Sequence, residues 1–177
     1  YQPYRFEEIR GQLGKAYQEA ALQSHPGFRA DLAQEIAEKQ ANASRYAVHP
    51  ENLTQPTLAG FKVRSKSETI ICNLMTERGI LFVYEEPLRL YVPGEGRLTL
   101  HPDFVIYLPD GSVVIWEHLG LLHDETYLTA FAKKLQLYHK AGFAVGSTLY
   151  LTSDTASGRL DMDAVLHVID CLKAMGA

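Results

Sequence analysis

Two apolar runs, Phe104-Val105-Ile106-Tyr107 and Val113-Val114-Ile115-Trp116, stand either side of Leu108-Pro109-Asp110-Gly111-Ser112. Proline suits the first position of a tight turn, and glycine the left-handed position of a three-residue hairpin loop. With that loop Leu108 pairs with Ser112, and counting outward brings Asp103 opposite Glu117. Directly paired residues point to one face of a sheet, with Cβ atoms about 5 Å apart. Two carboxylates facing each other at the end of apolar strands repel. A divalent cation between them reverses the sign of that interaction, and hard oxygen ligands suit Mg²⁺ or Mn²⁺. A two-residue loop would shift the register by one and set Asp103 opposite His118 instead. Two acids at a solvated sheet edge, with no role at all, is the plain alternative.

The elements around this hairpin follow from periodicity and capping signals. Residues 3–23 read as a helix, with Phe6, Ile9, Leu13, Tyr17 and Ala20 at helical spacing, and a second helix runs from about Phe28 to Tyr46. A connector leads from His49-Pro50 to Gly60. Ser65-Lys66-Ser67-Glu68 is a capping-box pattern that opens a helix to about Arg78, which Gly79 stops. Residues 80–92 read as one extended strand, Leu98 to Leu108 as a second and Ser112 to Leu119 as a third. A helix from about Asp124 to Ala141, a strand from Ser147 to Thr152 and a helix from Asp161 to Ala174 complete the chain. A fourth strand that arrives by a helical crossover implies an α/β sandwich with a mixed sheet.

No apolar run approaches the roughly 18 residues of a membrane span. Cys72 and Cys171 lie far apart in helical patterns, with no Cys/His spacing for zinc. A reducing, cytoplasmic setting is the default expectation. The formal net charge of -4 argues against coating nucleic acid by bulk charge, but not against an enzyme that meets phosphate locally. The chain opens on Tyr1 without a methionine or a signal-peptide pattern, and further domains of a longer parent protein are expected.

His101-Pro102-Asp103-Phe104, the hairpin, and Ile115-Trp116-Glu117-His118-Leu119-Gly120 together resemble the core motif of the PD-(D/E)XK nuclease superfamily. That superfamily carries a Pro-Asp on the second core strand, an acidic-x-Lys on the third, and the element order αβββαβ. Residues 61–152 follow that order, and Glu68 occupies the first helix, where a third acidic member is common. The resemblance implies a restriction-endonuclease-like α/β core over residues 61–177, with a helical N-terminal extension over residues 1–60. It implies metal-assisted hydrolysis of phosphodiester bonds, with Mg²⁺ (or Mn²⁺ in its place) on Asp103 and Glu117 and DNA as the partner. Lys62, Arg64 and Lys66 precede or open the first core helix; Arg64 and Lys66 are the expected phosphate contacts, aided by the helix N-terminus.

One position departs from the pattern. Leu119 stands where the superfamily has its lysine, and His118 alternates to the opposite face. Within the superfamily that lysine can come from the following helix. There Tyr127, Phe131, Lys134 and Tyr138 form a stripe, and Lys134 is the candidate. Lys134 and Tyr138 also resemble a Gln-x-x-x-Tyr pattern of one exonuclease branch, with Lys in place of Gln, which marks Tyr138 as a nucleic-acid contact. The expected catalytic set is Glu68, Asp103, Glu117 and Lys134. Plain readings stand beside it: Glu68 as a helix cap, Lys134 as a snorkelling side chain, His118 as a structural residue, and Tyr84-Glu85-Glu86 as strand surface. Two other functions compete: a non-catalytic nucleic-acid-binding or interaction module on the same fold, and a metal-dependent phosphohydrolase of small phosphoesters acting in a closed pocket.

Overall fold

The Ser65 capping box forms as its sequence predicts. Ser65 accepts from the Glu68 backbone N–H at 3.1 Å, the Glu68 carboxylate returns to the Ser65 N–H, and the helix α2 runs Lys66–Glu77 before Gly79 turns left-handed at φ 67°. The computed structural model describes residues 26–177. The helix expected over residues 3–23 lies outside the described residues. The chain divides into two compact units, Tyr1–Glu35 and Ile36–Ala177; the site described below lies within the second.

In chain order the elements are α1 (Pro26–Tyr46), a short 3-10 turn (Pro50–Asn52), β1 (Gln55–Pro56), β2 (Lys62–Val63), α2, β3 (Phe82–Tyr84), β4 (Leu88–Val92), β5 (Gly96–Leu100), β6 (Phe104–Tyr107), β7 (Val113–Leu119), α3 (Glu125–Lys140), β8 (Leu149–Ser153) and α4 (Met162–Ala174). The central sheet has the order β3-β6-β7-β8, antiparallel except for the parallel pair β7–β8 that the α3 crossover requires. The protein is thus a mixed α/β fold with a mixed central sheet, as the sequence predicts at that level.

Strand alternation divides the core. Phe104, Ile106, Val114, Trp116 and Tyr150 face α2 and α4, where they meet Ile71, Met75, Val165, Ile169 and Leu172. Ile115 and Leu149 face the other way, onto Tyr138 of α3 and the leucines Leu88, Leu90 and Leu100. Trp116, Phe104, Ile71 and Met75 are fully buried, and burial of such side chains at about 1.5–3 kcal/mol each is the main stabilising term. Among the described residues no helix is long and apolar enough to cross a membrane.

Two expected strands are in fact broken. Residues 80–92 split into β3 and β4 because Glu85 takes a left-handed conformation at φ 50° and Pro87 follows it. The expected strand from Leu98 to Leu108 splits into β5 and β6 at His101-Pro102-Asp103, where Pro102 lacks the N–H a ladder needs. β4 and β5 consequently pair only with each other, as a separate ribbon inserted between the first two strands of the sheet. Tyr84 and Glu85, expected at the strand surface, are buried.

Candidate active site

The turn chemistry fixes the central feature of the site. Leu108 N–H donates to Ser112 O and Gly111 N–H to Leu108 O, each at 2.9 Å, with Gly111 at φ 80°. The three-residue loop is therefore real, and Phe104 pairs with Trp116. One step outward on each strand, Asp103 and Glu117 share the face that looks toward α3. Asp103 is pinned at both ends of the residue. Its carbonyl accepts from the Glu85 N–H at 2.9 Å, and its Oδ2 accepts from the His118 backbone N–H at 2.7 Å.

Glu117 is almost wholly buried, and two groups from one face of α3 converge on its Oε1. The Tyr138 hydroxyl donates at 2.6 Å and the Lys134 ammonium lies at 2.7 Å. Lys134 also donates to the His101 carbonyl at 2.6 Å, so it ties α3 to the His-Pro-Asp segment as well as to Glu117. Spacing of four residues puts Lys134 and Tyr138 one above the other on the helix. The lysine expected from α3 thus reaches Glu117, and its charge is felt at Asp103.

Burial pushes the Asp103 carboxyl well above its ordinary range, and the facing Glu117 adds to that. Lys134 opposes the shift, Glu68 reinforces it, and the His118 N–H opposes it. Burial, then Glu117, raises the Tyr138 hydroxyl far enough that it stays a proton donor. Burial also pushes Tyr127 up to about 12, with Asp103, Glu117 and Glu68 adding in that order. The Tyr127 phenol therefore stands in the field of all three carboxylates.

The remaining expected residues fall as follows. Glu68 Oε2 accepts from the N–H groups of Arg64 and Ser65 and from the Tyr84 hydroxyl, at 2.9, 3.1 and 3.0 Å. Its helix-cap role is fully formed, and its charge is still felt at Asp103. Lys66 is exposed in the first turn of α2. Arg64 and Tyr138 are both engaged within the chain. The Arg64 guanidinium forks onto Glu85 at 2.7 and 2.8 Å and caps the carbonyls of Val48 and His49, so its donors serve the fold. Tyr138 is fully buried, and its hydroxyl donates to Glu117.

Sequence reading missed the cluster behind the site. His118 points to the other face of β7, where its Nδ1 meets Thr152 Oγ1 at 2.9 Å and its Nε2 meets Asp154 at 3.1 Å. Trp116 Nε1 donates to the same Thr152 hydroxyl at 2.9 Å, and Ser67 donates to Asp154 at 2.8 Å. The signal available was the parallel pairing of β7 with β8, which sets His118 beside Thr152.

Among the described residues no three His, Cys, Asp or Glu side chains converge as a ready-made metal cage. Mg²⁺ does not demand one; it is commonly held by one or two carboxylates, with water and substrate phosphate completing the shell. Two hard-oxygen carboxylates on one face, one of them destabilised as an anion by burial and by the other, fit such a cation.

No protein-family model matches the chain, and no solved structure matches it. Over 118 residues the chain is 30% identical to an uncharacterized protein of Methanocaldococcus jannaschii, a match that covers 66% of this chain and 10% of that protein. The chain therefore spans about a tenth of the length of the curated relative it matches.

Proposed function

We propose that this chain is a metal-dependent nuclease domain with a restriction-endonuclease-like core of the PD-(D/E)XK type, hydrolysing phosphodiester bonds in DNA. One observation carries the reading. Asp103 and Glu117 share a face at the end of the hairpin, and the Lys134 ammonium, from the helix after the third motif strand, sits 2.7 Å from Glu117. A lysine displaced from the Leu119 position to α3 restores the acid, acid and lysine set that the motif requires. In this reading Asp103 and Glu117 hold Mg²⁺ or Mn²⁺. Bound there, the cation supplies Lewis acidity toward the phosphate and a lowered pKa for a water.

The chain's own residues supply the rest. The His118 N–H fixes one oxygen of Asp103, and the Tyr138 hydroxyl fixes one oxygen of Glu117. Lys134 offers a preorganised positive charge to the oxygens of the phosphate as negative charge develops there. Glu68 adds negative charge that favours cation binding, and Lys66 at the start of α2 offers a phosphate contact. DNA as the substrate rests on analogy with the superfamily. The small-phosphoester alternative draws no support from the groove lined by Ala132, Leu135, His139 and Phe143, because neither carboxylate lines it.

The test is cleavage by the purified chain in Mn²⁺ or Mg²⁺, with chelator as the control. Asp103→Ala and Glu117→Ala should each abolish it. A clean preparation inert toward single-stranded, double-stranded and branched DNA would defeat the reading in favour of a binding module.

A further inference from the structure

The β4–β5 ribbon has two chemically distinct faces. Leu88, Leu90 and Leu100 turn inward and pack with Ile115, Tyr138 and Leu149. Alternation turns Arg89, Tyr91, Arg97 and Thr99 outward, and all four are exposed. The register pairs Arg89 with Thr99 and Tyr91 with Arg97. These residues form the corners of one patch, with the two arginines on a diagonal of roughly 7–8 Å. Tyr91 is 69% exposed, the most of the exposed large hydrophobic residues among the described residues.

Neither arginine side chain has a hydrogen-bond or ion-pair partner among the described residues, whereas Arg64 is engaged by Glu85 and Lys140, near the ribbon's tip, by Glu95. Two like charges on one diagonal, unpaired among the described residues, repel, and they do so on a chain whose net charge is -4. A polyanion laid across them removes the repulsion. The ribbon also leads to the carboxylates. β5 runs directly into His101-Pro102-Asp103, whose His101 carbonyl is held by Lys134. Thr99 is four residues before Asp103, which limits their Cα separation to about 14 Å.

We propose that the outer face of this ribbon binds single-stranded nucleic acid and delivers it to the Asp103–Glu117 site. Arg89 and Arg97 contact phosphates, and Tyr91 stacks on an unpaired base. The delivery rests on the nuclease reading; the binding does not. A single strand is favoured over a duplex because an outward tyrosine between arginines presents a stacking surface, which only an unstacked base can use.

Fluorescence anisotropy with a labelled oligo-dT strand and a labelled mixed-sequence duplex, in chelator so that nothing is cut, tests the proposal. Tyr91→Ala should weaken single-strand binding about tenfold, and Tyr91→Phe should retain it. Arg89→Ala combined with Arg97→Ala should flatten the slope of log affinity on log salt by about 1.4, the amount for two single-strand phosphates. Arg78→Ala, at the C-terminal end of α2, serves as the control and should change neither quantity. No binding by the unmodified chain at low salt would overturn the proposal. So would unchanged affinity and slope in the ribbon variants, or tighter duplex binding indifferent to Tyr91. A cleavage assay in Mn²⁺ separates the two readings. Ribbon-dependent binding without cleavage defeats the nuclease reading and leaves the ribbon; cleavage with ribbon-independent binding does the reverse.

Discussion

Ionisation of Asp103 is costly in the metal-free protein. Its pKa in the fold is raised, first by burial and then by Glu117, despite Lys134 and the His118 N–H. Below the ordinary carboxylate range both folded and unfolded chains carry the proton, and this group adds no penalty. From about pH 4 upward the unfolded chain ionises while the fold still holds the proton. Chelator-treated protein should therefore lose stability as pH rises, until the folded pKa is passed. Asp103→Asn should remove that part of the slope. Denaturant midpoints across the range check this, and an identical decline in both proteins would exclude Asp103 as its source. Lys134 makes a different statement. Its ammonium contacts Glu117 and the His101 carbonyl, whereas Lys133 is exposed and rotated by about 100° on the helix. If the site is catalytic, Lys134→Ala should lower turnover by about 10²–10³ with the fold intact, and Lys133→Ala should stay near the unmodified rate. Equal rates for the two variants would refute the displaced lysine.

At the scale of elements, legibility tracked how local the determining chemistry was. The Ser65 box, the Gly111 turn and the Asp161 cap are each fixed within four residues, and the β6–β7 register followed from the turn alone. The break between β3 and β4 was hidden because residues 80–92 are apolar enough to read as one strand. What holds Glu85 left-handed is tertiary: its N–H on the Asp103 carbonyl and its carboxylate on Arg64. The stripe on α3 gave the correct face for Lys134 and Tyr138, but not that Tyr138 is sealed from solvent. The His118 cluster was missed because Thr152 and Asp154 arrive from the far side of the crossover, and only the β7–β8 register brings them to His118. That cluster joins β7, β8 and the start of α2, and the same His118 supplies the N–H that holds Asp103. Thr152→Val keeps the shape but strands Trp116 Nε1 and His118 Nδ1 without a partner. It should cost roughly 2–6 kcal/mol, at about 1–3 for each of the two unsatisfied buried groups. If Asp103 holds a metal as proposed, the substitution should also loosen it enough to weaken that binding. Equilibrium unfolding reads the first effect and metal titration the second; an unchanged midpoint would mean that the cluster contributes nothing to joining these elements.

For the whole molecule, the metal reading predicts a coupling between the site and global stability. A ligand bound only by the native state stabilises it by about 2.7 kcal/mol when present at a hundredfold excess over its Kd. For a chain of 177 residues that corresponds to a rise in Tm of about 5–11 °C, at about 2–4 °C per kcal/mol. Mn²⁺ or Mg²⁺ should produce such a rise, and Asp103→Asn should lose most of it while remaining folded without metal. Lys134 separates this from a general salt effect. Its ammonium already pairs with Glu117 at 2.7 Å, so an incoming dication must share that carboxylate with it. Lys134→Ala removes the competitor and leaves Glu117 with the Tyr138 hydroxyl alone. The variant should bind the metal at least as tightly as the unmodified chain and show an equal or larger thermal shift, even as its turnover collapses. Scanning calorimetry at matched ionic strength, with Ca²⁺, Mg²⁺ and Mn²⁺ in parallel, reads this directly. A shift of equal size in the unmodified chain and in Asp103→Asn would place the cation elsewhere. A shift lost in Lys134→Ala would mean that the ammonium supports the bound cation rather than competing with it.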